Sequence, residues 1–251
     1  MGKTLNLERR TQTLGQDQHG RNVWQVSETR VAWPANQSAL LLCDVWDRHW
    51  SRGANERLAP LLPRMDQVVR AARSLGVRII HAPSDTMAFY EGTPARQRVQ
   101  EARAVELPTP AEREDPPLPV DASDSGTDTG EPTWHKAWSR QHPAIFIDQD
   151  QDGISDQGKE VYSFLRGEGR RRLLILGVHT NMCVLNRSFA IKQMVKWGME
   201  VTLLRDLTDT MYNPARPPYV SHEEGTRLVV EYIEKFWCPT ALSEDVLNSG
   251  G

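Results

Sequence analysis

Residues 173–198 read LLILGVHTNMCVLNRSFAIKQMVKWG. The uncharged apolar run up to Leu176 has the length and composition of a buried strand, and Gly177 ends it. A tight turn follows. From residue 181 to 197 the apolar positions recur at helical spacing until Gly198, a residue suited to the left-handed cap of a helix. The stretch therefore predicts strand, turn and long helix, with Cys183 where the helix opens. A thiol placed there meets unpaired backbone N–H groups and the positive end of the helix dipole, which favour thiolate over thiol.

The same alternation extends in both directions. Apolar runs at residues 39–43, 77–81, 144–147 and 201–204 predict further buried strands, and helical patterns cover residues 57–75 and 222–236, with His222 opening the second. Alternating strands and helices argue for a parallel sheet with helices on both faces and right-handed crossovers. In such sheets ligands bind beyond the carboxyl ends of the strands, which is where Cys183 falls.

Composition excludes several classes. With 251 residues, 39% hydrophobic and 25% charged, the chain can bury a core and is neither a disordered polymer nor a membrane protein. A formal charge of −3 gives no global drive toward nucleic acid or anionic lipid. The amino terminus is polar and charged where a secretory signal needs an apolar stretch, which points to the cytoplasm. Cys43, Cys183 and Cys238 are too few and too widely spaced for a disulfide framework or a zinc cluster. Two stretches break the pattern. Residues 1–38 read as an arm packed on the domain or on a neighbouring subunit. Residues 106–132 hold six of the 16 prolines and the run DASDSGTDTGEP, an excursion that serves as a linker or a lid over the site. A single domain then spans residues 39–245, and residues 246–251 read as a flexible tail.

Asp44 directly follows the strand at 39–43, so its carboxylate should emerge beside Cys183 and could serve the thiol as a base. Lys136 precedes the run at 144–147 among tryptophans. His49, His135 and His179 are candidates to line a pocket whose walls would be Trp46, Trp50, Phe89, Tyr90 and Trp138. Asp148, Asp150, Asp152 and Gly153 spell the opening of a calcium loop. Its twelfth position is Lys159 instead of an acid, so a hydrated acidic turn is expected rather than an ion site.

An aspartate ending the first of these strands, a lysine before the third, and a cysteine in G-V-x-T-x-x-C-V at Gly177–Val184 together resemble the isochorismatase-like cysteine hydrolases, which include nicotinamidases and N-carbamoylsarcosine amidase. The resemblance runs from about Ala39 to Thr240. It implies a three-layer α/β/α fold on a mainly parallel, Rossmann-like sheet of six strands. It also implies a triad in which Asp44 takes the thiol proton, Lys136 holds the carboxylate and Cys183 attacks a carbonyl to form a thioester. The backbone N–H groups of His179 and Cys183 would form the oxyanion hole, with a cis peptide between Val178 and His179.

Two departures narrow the expectation. The lysine context K-A-W-S is one residue shorter than the family's usual spacing. The metal motif of nicotinamidases is not reproduced by His81 and Asp85, so no metal and no other cofactor are expected. A small-molecule amide-type substrate is the leading expectation, beside a vinyl-ether hydrolase of the isochorismatase type and a catalytically silent binding member of the fold. Family members commonly associate, and a homo-oligomer is expected.

Overall fold

The computed structural model describes residues 2–131 and 134–249. Strand β3 (Ser38–Cys43) is buried at every position because both of its faces are covered, the condition under which a strand reads as an unbroken apolar run. Leu40 and Leu42 point into one hydrophobic layer, and Ala39, Leu41 and Cys43 into the other. The remaining strands are β1 (Thr4–Gln16), β2 (Asn22–Pro34), β4 (Arg78–Ala82), β5 (Gly153–Ile154), β6 (Arg172–Val178), β7 (Glu200–Asp209) and β8 (Thr240–Ala241). They form one sheet in the order β2-β1-β8-β7-β6-β3-β4-β5. The six strands from β8 to β5 are parallel, as expected, and β1 and β2 add an antiparallel pair that brings the total to eight.

Nine helices are described: α1 (Arg52–Leu58), α2 (Leu62–Leu75), α3 (Met87–Tyr90), α4 (Pro94–Gln100), α5 (Gly158–Gly167), α6 (Cys183–Asn186), α7 (Ile191–Lys196), α8 (His222–Phe236) and α9 (Ser243–Asn248). Among the described residues no helix is long and apolar enough to cross a membrane. Helix α8 opens at His222 as the pattern predicts, with Ser221 Oγ accepting from Glu224 N at 3.2 Å as its cap.

Several expectations are corrected. The helix expected over residues 57–75 is two helices, because Pro60 interrupts the pattern and Pro63 suits only the first turn of α2. Residues 144–147 form no strand and run irregularly out of a turn, with Phe146 under the guanidinium groups of Arg70 and Arg73 at 5.0 and 5.5 Å. The edge beside β4 is filled by β5 instead. There a Cβ on Gly153 would lie 2.8 Å from Val99 Cγ2, so only glycine permits the approach. Residues 246–248 of the expected tail belong to α9, with Val246 buried.

The amino-terminal stretch expected as an arm is a hairpin. It joins the sheet where Arg10 pairs with Thr240, and Leu5 and Leu7 enter the same apolar layer as α2 and α9. Its anchor is Glu234 of α8, whose side chain is removed from solvent. Glu234 accepts from Arg10 Nε at 2.7 Å, Gln12 Nε2 at 2.8 Å and Thr240 Oγ1 at 2.6 Å. Glu234→Ala strips three donors of their partner, and urea denaturation should show a loss of about 2–4 kcal/mol. A loss below about 0.5 kcal/mol would mean that the hairpin is held by its apolar residues alone.

Candidate active site

The carboxyl ends of β3 and β6 lie side by side, with Cys43 paired to Gly177. A Cβ on Gly177 would fall 2.0 Å from Cys43 O, and its φ of 124° lies in the left-handed region, so glycine is required where β6 leaves the sheet. Asp44 follows Cys43 with a φ of 49°, a conformation that aspartate tolerates better than most residues. Its N–H still pairs with Ala82 O at 3.1 Å, and its side chain is fully buried. Ser84 N donates to Asp44 Oδ1 at 2.7 Å and Arg187 Nε to Oδ2 at 3.0 Å, and the Cys183 thiol lies close enough to this carboxylate to perturb it. Asp44 and Cys183 therefore converge as the sequence suggests.

The cation on Asp44 is Arg187. Lys136 is exposed, and its ammonium donates to the backbone carbonyl of Asp85. This difference follows from a second one. The helix expected over residues 181–197 is only two short pieces, α6 and α7, because Arg187 takes extended dihedrals of −60° and 150° and the chain steps sideways. The step is fixed by α5: Ser188 Oγ accepts from Gly158 N at 3.0 Å, and Gly158 has no room for a Cβ against Ser188 O. The break aims Arg187 back over the strand ends. The polar triplet Asn186-Arg187-Ser188 amid an apolar helical pattern was the available sign of it.

Burial dominates the electrostatics. The Cys183 thiol is pushed well above its ordinary value by burial and then by the adjacent Asp44 carboxylate, against the smaller opposing pull of Arg187. A four-residue α6 supplies little dipole to reverse this. Burial also raises Asp44, opposed by Arg187, by the nearby Cys183 thiol and by hydrogen bonding from Ser84. Both groups are thus raised, and their titrations as neighbours are coupled. The peptide between Val178 and His179 is cis. Among the described residues, the N–H groups of His179, Asn181 and Cys183 have no acceptor in the protein, whereas those of Thr180, Met182 and Val184 do. Of these three residues, His179 and Cys183 also line the cavity that opens on the thiol.

A cavity of about 500 Å³ opens on Cys183 and Arg187. Trp46, His49, Trp50, Trp138 and His179 line it, joined by Trp134, Met182, Met211, Asp85, Ala122, Ser123 and Ser125. Trp46 and Trp138 stack at 4.0 Å with an interplanar angle of 7°. Trp46 is further fixed by its Nε1 donating to Ser84 O at 3.1 Å. Phe89 and Tyr90, expected in this wall, line a separate groove with Arg140 and His142, where the Tyr90 hydroxyl accepts from Gln141 N. His135 is exposed and outside the lining.

The excursion does reach the site, since Ala122, Ser123 and Ser125 form part of its wall. It is tied down by Asp128, which takes Arg57 at 2.8 and 3.2 Å. Arg57 in turn meets Asp209 at 3.1 Å, and Asp209 meets His222 Nε2 at 2.8 Å. Pro132, the last residue of the expected insertion, lies outside the described residues.

Residues 149–151 form the expected turn with Asp150 exposed, but Asp152 at its end is not hydrated. Asp152 is buried against Arg73 at 2.6 Å and His81 at 2.9 Å, and accepts from Asp148 N at 2.8 Å, which holds it below the usual carboxylate range. Its partners are inside the protein because β5 begins at the next residue. Among the described residues no group of three or more histidine, cysteine, aspartate or glutamate side chains is arranged to hold a metal ion.

A sequence profile of the isochorismatase domain matches residues 38–216, and the chain belongs to the isochorismatase family of hydrolases. No curated protein sequence matched the chain. Among solved structures, a cysteine hydrolase from Pseudomonas syringae pv. phaseolicola 1448A is 16% identical, with a TM-score of 0.53 over 86% of this chain and 92% of that one. An isochorismatase candidate from Burkholderia xenovorans LB400 is also 16% identical, with a TM-score of 0.52 over 85% and 87%. At these identities the likeness is one of fold.

His49 and His179 meet edge to face at 4.8 Å. Burial depresses both, His49 to about 4 and His179 to about 3, with mutual repulsion adding to the effect on His179. The ordinary imidazole value is 6.5, so below that pH the unfolded chain binds protons that the folded site refuses. Stability contributed by these two groups is intact above pH 6.5 and falls as the pH drops toward 4. Imidazole NMR signals of both residues should stay in the neutral form from pH 8 to about 5. A midpoint near 6.5 for either would contradict a dry wall.

Proposed function

We propose that the protein is a cysteine hydrolase that cleaves a carbonyl–nitrogen bond of a small molecule, with Asp44, Arg187 and Cys183 as its working groups. The observation that carries this reading is the convergence of a thiol, a buried carboxylate bearing a cation, and two acceptor-free N–H groups on one cavity. Lys136 has the weaker claim to the cationic role, because it is bound to Asp85 O and away from the carboxylate.

The steps follow from the geometry. Asp44 takes the proton of Cys183 as the sulfur attacks the substrate carbonyl carbon, so the thiolate exists only as the new bond forms. This order suits a thiol whose own titration lies high. Charge on the carbonyl oxygen is received by the N–H groups of His179 and Cys183. Collapse breaks the carbon–nitrogen bond, and Asp44 returns its proton to the departing nitrogen. The thioester is then attacked by water, whose proton passes to Asp44, and the acid leaves as the thiol is restored. Arg187 keeps the carboxylate charged between proton transfers, and no step requires a metal or cofactor. The neutral imidazoles and tryptophans give the substrate an apolar wall.

The Pseudomonas neighbour, a cysteine hydrolase, agrees with this reading. A vinyl-ether hydrolase would use the same scaffold without needing the thiol, and a silent binding member would need neither the proton relay nor the free donors.

Turnover of a panel of small amides and ureido compounds tests the proposal. Cys183→Ala should abolish it, and Asp44→Asn should lower it by at least about a hundredfold with the fold intact. Arg187→Ala should lower kcat by at least about tenfold, while Lys136→Ala should change it by less than about threefold. Unchanged turnover in Cys183→Ala, or pyruvate release from isochorismate by that variant, would overturn the thioester route. A tenfold loss in Lys136→Ala with none in Arg187→Ala would return the cationic role to the lysine.

A further inference from the structure

Strand β2 is an open edge whose only charges are Glu28 and Arg30. It runs for 13 residues where strands average about 5–6, contains no lysine, has no proline before Pro34, and pairs with β1 in unbroken register without a bulge. Trp24 and Val26 are 39% and 60% exposed on it.

The direction of its free backbone groups can be read from the hairpin. Asp17 N donates to Arg21 O and Ala35 N to Lys3 O, both at 2.9 Å, so the odd-numbered residues of β2 hydrogen-bond to β1. The even-numbered residues from Asn22 to Ala32 then turn their N–H and C=O groups outward. The same alternation on β1 sends Asn6 N to Ser249 Oγ and Glu8 N to Asp245 Oδ2, away from β2.

We propose that this edge binds the same edge of a second copy of the chain, β2 antiparallel to β2 about a twofold axis at Thr29. Charge selects the register. An axis through Glu28 or Arg30 would set that residue against its own copy, and like charges directly opposed destabilise a ladder. An axis through Ser27 would face Glu28 with Val26 and leave both charges without partners. An axis through Thr29 sets Glu28 opposite Arg30 twice. Both residues are even-numbered, so their outward N–H and C=O groups meet as hydrogen-bonded pairs. The added strand continues an alternation already present within the chain, where Glu8 faces Arg30 and Arg10 faces Glu28. The interface is isologous and closed, and it removes the edge from solvent.

The test uses sedimentation of the full-length chain at micromolar concentration. Wild type should contain an even number of 28.5 kDa chains. Glu28→Lys sets the new ammonium against Arg30 of the other copy, and Arg30→Glu sets the new carboxylate against the other copy's Glu28. Each variant alone should dissociate with an affinity lowered about tenfold or more, circular dichroism remaining that of wild type. Mixed in equal amounts, the two variants place opposite charges at both positions and should reassociate. A single-chain mass for wild type, variants that keep the wild-type mass, or a mixture no more associated than its components would overturn the proposal.

Discussion

The ion pair between Asp44 and Arg187 sets the terms for the carboxyl edge of the sheet. Asp44 has no solvent contact, and a buried carboxylate without compensation costs several kcal/mol. Two donors supply the compensation, Ser84 N from the loop after β4 and the guanidinium at the break between α6 and α7, with the thiol that opens α6 beside them. Each arrives only because a local rule is broken, by a left-handed aspartate, by a glycine that lets β6 approach Cys43 O, and by a helix interrupted after one turn. Such breaks of local rule are where chemistry is normally found.

The cavity then follows from what surrounds that pair. Tryptophans stacked at the ends of β3 and beyond, together with imidazoles kept neutral by burial, exclude water from one side. The excursion supplies the other side through Ser123 and Ser125. Its attachment by Asp128 to Arg57, and through Arg57 to Asp209, makes it part of the wall. A long proline-rich loop is thus held by ion pairs where it lacks a hydrogen-bonded ladder.

Legibility in the sequence tracked how far each feature depends on neighbours in the chain. The buried runs of β3 and β6, the end of α2 at Gly76, the opening of α8 at His222 and the meeting of Asp44 with Cys183 all follow from local patterning and the rule for parallel sheets. The hairpin was harder to read. Its strands are polar and mostly exposed along β2, so they carry no buried run, and their anchor Glu234 lies more than two hundred residues away. Arg187 was missed for a related reason: its role depends on Ser188 meeting Gly158, a contact between distant segments. The Lys136 assignment came from a resemblance whose spacing was already short by one residue, and the structure pairs the carboxylate with another cation. Asp152 looked like an exposed acid because its partners, Arg73 and His81, stand on elements some seventy residues earlier.

The proposed mechanism rests on a thiol whose titration is raised by burial and by the neighbouring carboxylate that would serve as its base. The most direct test is the pH dependence of Cys183 alkylation by iodoacetamide in wild type and in Asp44→Asn, followed by peptide mapping. The midpoint in wild type should lie above the ordinary cysteine value of 9.0 and should move down in Asp44→Asn, because the repelling charge is gone, even as turnover falls. A midpoint at or below the ordinary value that Asp44→Asn leaves in place would contradict the coupled titration, and with it the mechanism.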